Sequence, residues 1–159
     1  MGFYEMLEQT GLGTFIRESP SLWGWPGFLT GHTLGMAILV GLNAAVNLRI
    51  LGFAPQLPLA PMARLFPFMW FGFALNTATG VGLFMSEATR KGYSLIFGAK
   101  LIFVALAVVV LVLLRRQVFR DPGASGAGVP PRAKFLAAAS LVLWLAAIFT
   151  GRMMAYLPY

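Results

Sequence analysis

One histidine, His32, stands inside the first long apolar stretch of the chain, and it is the only imidazole among 159 residues. In lipid a histidine without a partner is costly, so its position marks a candidate site. As an axial ligand it would hold haem b, with a thioether such as Met36 or an imidazole from another chain opposite. Beside Met36, Met85 and Met153 it would suit Cu(I), which favours imidazole and soft thioethers. As a hydrogen-bonding group it could contact a quinone. The plainest role needs no cofactor: a hydrogen bond to a neighbouring helix, with the methionines only filling space.

Amides and ions recur at matching depths. At 100° per residue, His32, Met36, Asn43 and Asn47 fall within about 60° of one another on one helix, which gives that helix a polar seam. Asn76 of the next apolar run reaches the depth of Asn43, so an Asn43–Asn76 hydrogen bond worth about 1 kcal/mol is predicted. Such amides fix helix register or line a path for a small solute. Towards the His32 end, Lys100 and Arg152 fall inside apolar runs, and Glu87 is the acid within reach of either, so Glu87 is expected to pair with one of them. Gly27, Gly31 and Gly35 form a bare strip at spacing four, which admits another helix backbone closely. Ala37, Gly41 and Ala45 repeat that spacing.

The elements that must position these groups follow from composition. With 58% hydrophobic and 11% charged residues, the chain is more apolar than a soluble domain of this length can hide. Four apolar runs, about 28–52, 66–86, 93–114 and 135–157, each match the length that a 30 Å hydrocarbon core demands. The fold expected is therefore an all-α membrane protein, a four-transmembrane-helix bundle forming one domain. Residues 1–20 are too polar to span and read as an interfacial helix broken near Gly11 and Gly13. Pro55, Pro58 and Pro61 join the first two spans, and residues 121–128 form a flexible polar loop.

Charge and missing motifs exclude several classes. The formal charge is +7, but the basic residues flank apolar runs instead of forming a stripe, so no nucleic-acid partner is expected and the lipid bilayer is. Arg49, Arg64, Arg115, Arg116, Arg120, Arg132 and Lys134, seven of the twelve cations, fall at one end. By the positive-inside rule that end faces the cytoplasm and both termini face the periplasm of a bacterial inner membrane. There is no cysteine, no paired intramembrane carboxylate, no metal-binding histidine pair and no phosphate loop, so an independent enzyme is not expected.

Thr30-Gly31-His32-Thr33-Leu34-Gly35, Asn47-Leu48-Arg49-Ile50-Leu51-Gly52, Phe84-Met85-Ser86-Glu87-Ala88, the Phe97 to Lys100 start of the third span and Gly151-Arg152-Met153-Met154-Ala155-Tyr156 together resemble an uncharacterised family of bacterial four-helix inner-membrane proteins. The resemblance covers nearly the whole chain. It implies the fold and carries no established activity. In that family many members have an acid where Asn47 stands and another histidine near the inner end of the third helix, where this chain reads Leu111-Val112-Leu113-Leu114, a departure from what the resemblance implies. The function expected is a non-enzymatic accessory or anchor subunit, working with an electron-transfer or metal-handling partner in the membrane or periplasm. The alternatives are a small-solute carrier or channel along Asn43, Asn47 and Asn76, and a structural oligomer self-associated through Gly27, Gly31 and Gly35.

Overall fold

The computed structural model describes residues 2–119, 129–154 and 156, and every regular element among them is helical. Two short helices, α1 (Phe3–Glu8) and α2 (Gly11–Glu18), precede the long α3 (Trp25–Leu51). A 3₁₀ turn, Ala60–Leu65, leads into α4 (Phe66–Met85), followed by the short α5 (Ala88–Gly92), α6 (Leu95–Phe119) and α7 (Pro131–Met153). The four long helices, with the 3₁₀ turn counted into the second, are each long and apolar enough to cross a bilayer. This is the architecture of a multi-pass membrane protein, a bundle of four α-helices.

Local chemistry moves the boundaries from those read off hydropathy alone. Pro26 and Pro131 sit in the first turns of α3 and α7, where their missing N–H is no loss, so both helices begin a few residues early. Gly52 ends α3 in the left-handed region, at φ 107°, where a side chain would be strained. α6 runs past Leu114 to Phe119, with Arg115 and Arg116 exposed and Arg116 in the last turn, where the helix dipole favours a cation. The expected end of the fourth span at 157, the loop 121–128, Arg120 and Ala155 lie outside the described residues.

The interfacial helix expected over residues 1–20 is two helices. Their break falls at Gln9-Thr10, where the Thr10 hydroxyl accepts from the Gly13 N–H at 3.2 Å and caps α2. Gly11 and Gly13 lie inside α2. Gly13 is there for contact: a Cβ on it would stand 3.1 Å from the Met85 carbonyl at the end of α4. Ile16 is fully buried, and α1 leans on α5, with the Glu8 carboxylate accepting from the Thr89 N–H at 2.8 Å. The segment thus closes one end of the bundle.

Around the bundle the order is α4, α3, α7, α6. α3 and α4 come closest, since a Cβ on Gly35 would stand 2.6 Å from the Asn76 nitrogen and one on Gly72 2.9 Å from the Gly35 carbonyl. Gly31 faces Thr79 of α4, and Gly27 abuts the Leu22 carbonyl of the preceding turn. The glycine strip thus packs within the chain, with Gly35 buried against α4 and Gly27 and Gly31 half-buried. Ala37, Gly41 and Ala45 are exposed instead, and a Cβ on Gly41 would meet nothing within 4 Å. Ala107, Leu111 and Leu114 of α6 share a core with Ala133, Ala137, Trp144 and Ala147 of α7. α4 and α6 meet through large rings, Phe84 stacked on Phe97 at 5.1 Å and Phe66 edge-on to Phe119 at 5.2 Å. Leu34, Phe71, Ile102, Val109, Leu145 and Phe149 face outward, as a lipid-facing surface requires.

Candidate functional site at the His32 end

His32 lies about two turns into α3, and its ring rests in a notch opposite Gly80 of α4. A Cβ there would come within 3.0 Å of Cε1 and 3.2 Å of Nδ1. The imidazole Nδ1 stands 2.8 Å from the backbone carbonyl of Asn76. A carbonyl only accepts, so Nδ1 carries the proton and, in the neutral ring, Nε2 presents its lone pair. In return the Asn76 amide Nδ2 donates to the His32 carbonyl at 2.7 Å. Each side chain is bonded to the other's main chain. The Thr79 hydroxyl donates to the Leu75 carbonyl and lies 3.5 Å from Nδ1.

Anchoring one ring nitrogen on a backbone carbonyl fixes both tautomer and orientation, which leaves the other nitrogen to act. Nε2 makes no hydrogen bond to a described residue. Lys100, in the second turn of α6, is half-buried, and its stem crosses Gly151 of α7, with Nζ 3.5 Å from where a Cβ would stand. It makes no hydrogen bond or ion pair to a described residue. Two ammonium groups lie towards His32, Lys100 and Lys91, of which Lys91 is paired with the Glu87 carboxylate at 3.0 Å.

The partner expected for Glu87 is corrected. Its carboxylate bridges Arg90 at 2.8 Å and Lys91 at 3.0 Å, neither of them Lys100 or Arg152. Glu87 sits at the start of α5, so cations three and four residues on are its nearest neighbours. Arg152 is exposed in the last turn of α7, where the helix dipole favours a cation. Lys91 is more deeply placed: its ammonium donates to the Leu83 carbonyl at the end of α4 and stands over the Trp25 ring, 5.3 Å from its centre. Burial pushes the Lys91 ammonium below its ordinary pKa, against the hydrogen bond and charge of Glu87.

The Asn43–Asn76 hydrogen bond does not form. Asn43 donates instead to the Ser140 hydroxyl of α7 at 3.0 Å, while Asn76 is held at His32. The reason is rotation: matched depth places two amides on one level, but Asn43 faces α7 and Asn76 faces the α3 backbone. Asn47 is fully buried, and its Oδ1 and Nδ2, together with Asn43 Oδ1 and Trp144 Nε1, have no hydrogen-bond partner among the described residues.

Met36, Met85 and Met153 are each half-buried, and no thioether is a hydrogen-bond partner of His32. No group of three or more histidine and carboxylate side chains able to hold a metal occurs among the described residues. Sequence reasoning missed Thr79, Gly80 and Lys91. Thr79 and Gly80 carried a signal in their spacing of three and four from Asn76, and Lys91 in its spacing of four from Glu87. No protein-family model, curated protein or solved structure matches this chain.

Proposed function

We propose that the protein is a membrane-embedded accessory subunit of an electron-transfer assembly, and that it holds a quinone head group at the His32 end of the bundle. The observation that carries this reading is an ammonium inside a membrane span, Lys100, with no hydrogen bond or ion pair to a described residue, at the same end of the bundle as a histidine whose Nδ1 is already fixed by Asn76. Quinone oxygens are neutral acceptors that gain electron density on reduction. The Lys100 ammonium would donate to one such oxygen and stabilise that added charge. His32 Nε2 would accept from the hydroxyl of the quinol form. The partner subunit would supply the electrons. Haem b and Cu(I) fit less well, because the Lys100 ammonium, with no ion pair among the described residues, opposes a cation near His32.

By the arginine count the His32 end faces the periplasm of a bacterial inner membrane, which places the partner there or in the membrane beside it. The test is a titration of the gently purified chain with a short-chain quinone, together with its absorption spectrum and metal content. Saturable binding weakened about tenfold by Lys100→Met, the loss of about 1.4 kcal/mol, is the expected result. Unchanged affinity in Lys100→Met, a Soret band or stoichiometric copper overturns it.

A further inference from the structure

The opposite end of the bundle carries a second feature, unrelated to His32. Arg49, Arg64, Arg115, Arg116, Arg132 and Lys134 gather there among the described residues. The described acids, Glu5, Glu8, Glu18 and Glu87, all belong to α1, α2 and the start of α5 at the His32 end, and Asp121 lies outside the described residues. Between α4 and α6 at the cationic end runs a groove of about 790 Å³. Its floor is apolar and aromatic, from Phe66, Trp70 and Leu111, and Arg115, Arg116 and Phe119 stand at its mouth.

Neither arginine makes an ion pair or hydrogen bond to a described residue. Arg115 instead lies over the face of Phe66, 5.5 Å from the ring centre, which holds its guanidinium at the groove. Two guanidinium groups with no ion pair among the described residues, above an apolar cleft between spans, ask for a ligand with an anionic head and a hydrocarbon body.

We infer that this groove binds an anionic phospholipid, with the phosphate on Arg115 and Arg116 and one acyl chain lying along Phe66, Trp70 and Leu111. Guanidinium forks match phosphate oxygens in pairs, and basic clefts between membrane helices near the headgroup level suit such lipids. A free phosphate would leave the apolar floor empty. Phosphatidylcholine would bring a choline cation against the arginines.

The full-length chain in mild detergent, examined by native mass spectrometry and thermal unfolding with added lipid, provides the test. Phosphatidylglycerol and cardiolipin are expected to stay bound and raise the unfolding midpoint by several degrees, whereas phosphatidylcholine and inorganic phosphate do neither. The pair Arg115→Gln and Arg116→Gln is expected to cut retention at least tenfold. Arg132→Gln with Lys134→Gln, at the same end but off the groove, is expected to leave it within twofold. Equal retention of phosphatidylcholine, an equal effect of phosphate alone, unchanged binding in the groove variant, or equal loss in the off-groove variant each overturns the assignment. Because it concerns the end away from His32, its outcome is separate from that of the quinone titration.

Discussion

The two helix hairpins solve the same packing problem differently. α3 and α4 approach until backbone meets backbone at Gly35 and Gly72, and two hydrogen bonds between His32 and Asn76 cross the contact. α6 and α7 pack through alanines, leucines and the buried Trp144, with no hydrogen bond between them among the described residues. In lipid, apolar burial gives helices little reason to prefer one another to acyl chains, so close approach and hydrogen bonds carry specificity. The first pair is thereby tied to one register, while shape alone sets the second.

The largest expected effect is at the glycine contact. Gly35→Leu drives a side chain into the Asn76 backbone, and should cost about 3 kcal/mol in unfolding of the micelle-bound protein, read by tryptophan fluorescence. A loss below about 1 kcal/mol would mean that α3 and α4 do not touch there. A smaller effect belongs to Asn76→Leu, which removes the donor to the His32 carbonyl but keeps the carbonyl that His32 bonds. About 1 kcal/mol is expected, with the imidazole signal in NMR still showing a bonded Nδ1–H. If that proton vanishes as well, the two bonds are not independent.

The smallest effect is one of pH. Lys91 ties the end of α4 to the start of α3 through the Leu83 carbonyl and Trp25, and burial lowers its folded pKa. The unfolded chain therefore holds that proton to higher pH than the folded one. Stability should rise slightly with pH across the interval just below the ordinary lysine range, because the unfolded state binds more protons there. Lys91→Met should flatten this slope; an unchanged slope would show that another group produces it.

What could be read from the amino acids follows the range of the force involved. The four spans were legible because hydrocarbon thickness fixes their length, and local chemistry at Pro26, Pro131 and Gly52 and the exposed arginines late in α6 adjusted their ends. The glycine strip announced a close contact but not its partner, since Gly31 and Gly35 suit a second copy as well as α4. His32 stood out as a lone imidazole. Its partner did not, because the group it bonds is a main-chain carbonyl, which every residue has. Glu87 was assigned across the bundle, yet local geometry won: residues three and four along a helix are closer than any other span. Asn43 and Asn76 show that depth alone leaves the rotation of each helix undetermined.

The mutual bonding of His32 and Asn76 also bears on how this bundle can move. Sliding α4 past α3 by one residue, a rise of 1.5 Å, would separate both donors from their carbonyls at once. The pair therefore behaves as one rigid body without intermediate settings. Breathing of the protein in the bilayer falls more easily to contacts that no hydrogen bond crosses among the described residues, the ring-bridged seam between α4 and α6 and the α6–α7 pair, where side chains can re-seat.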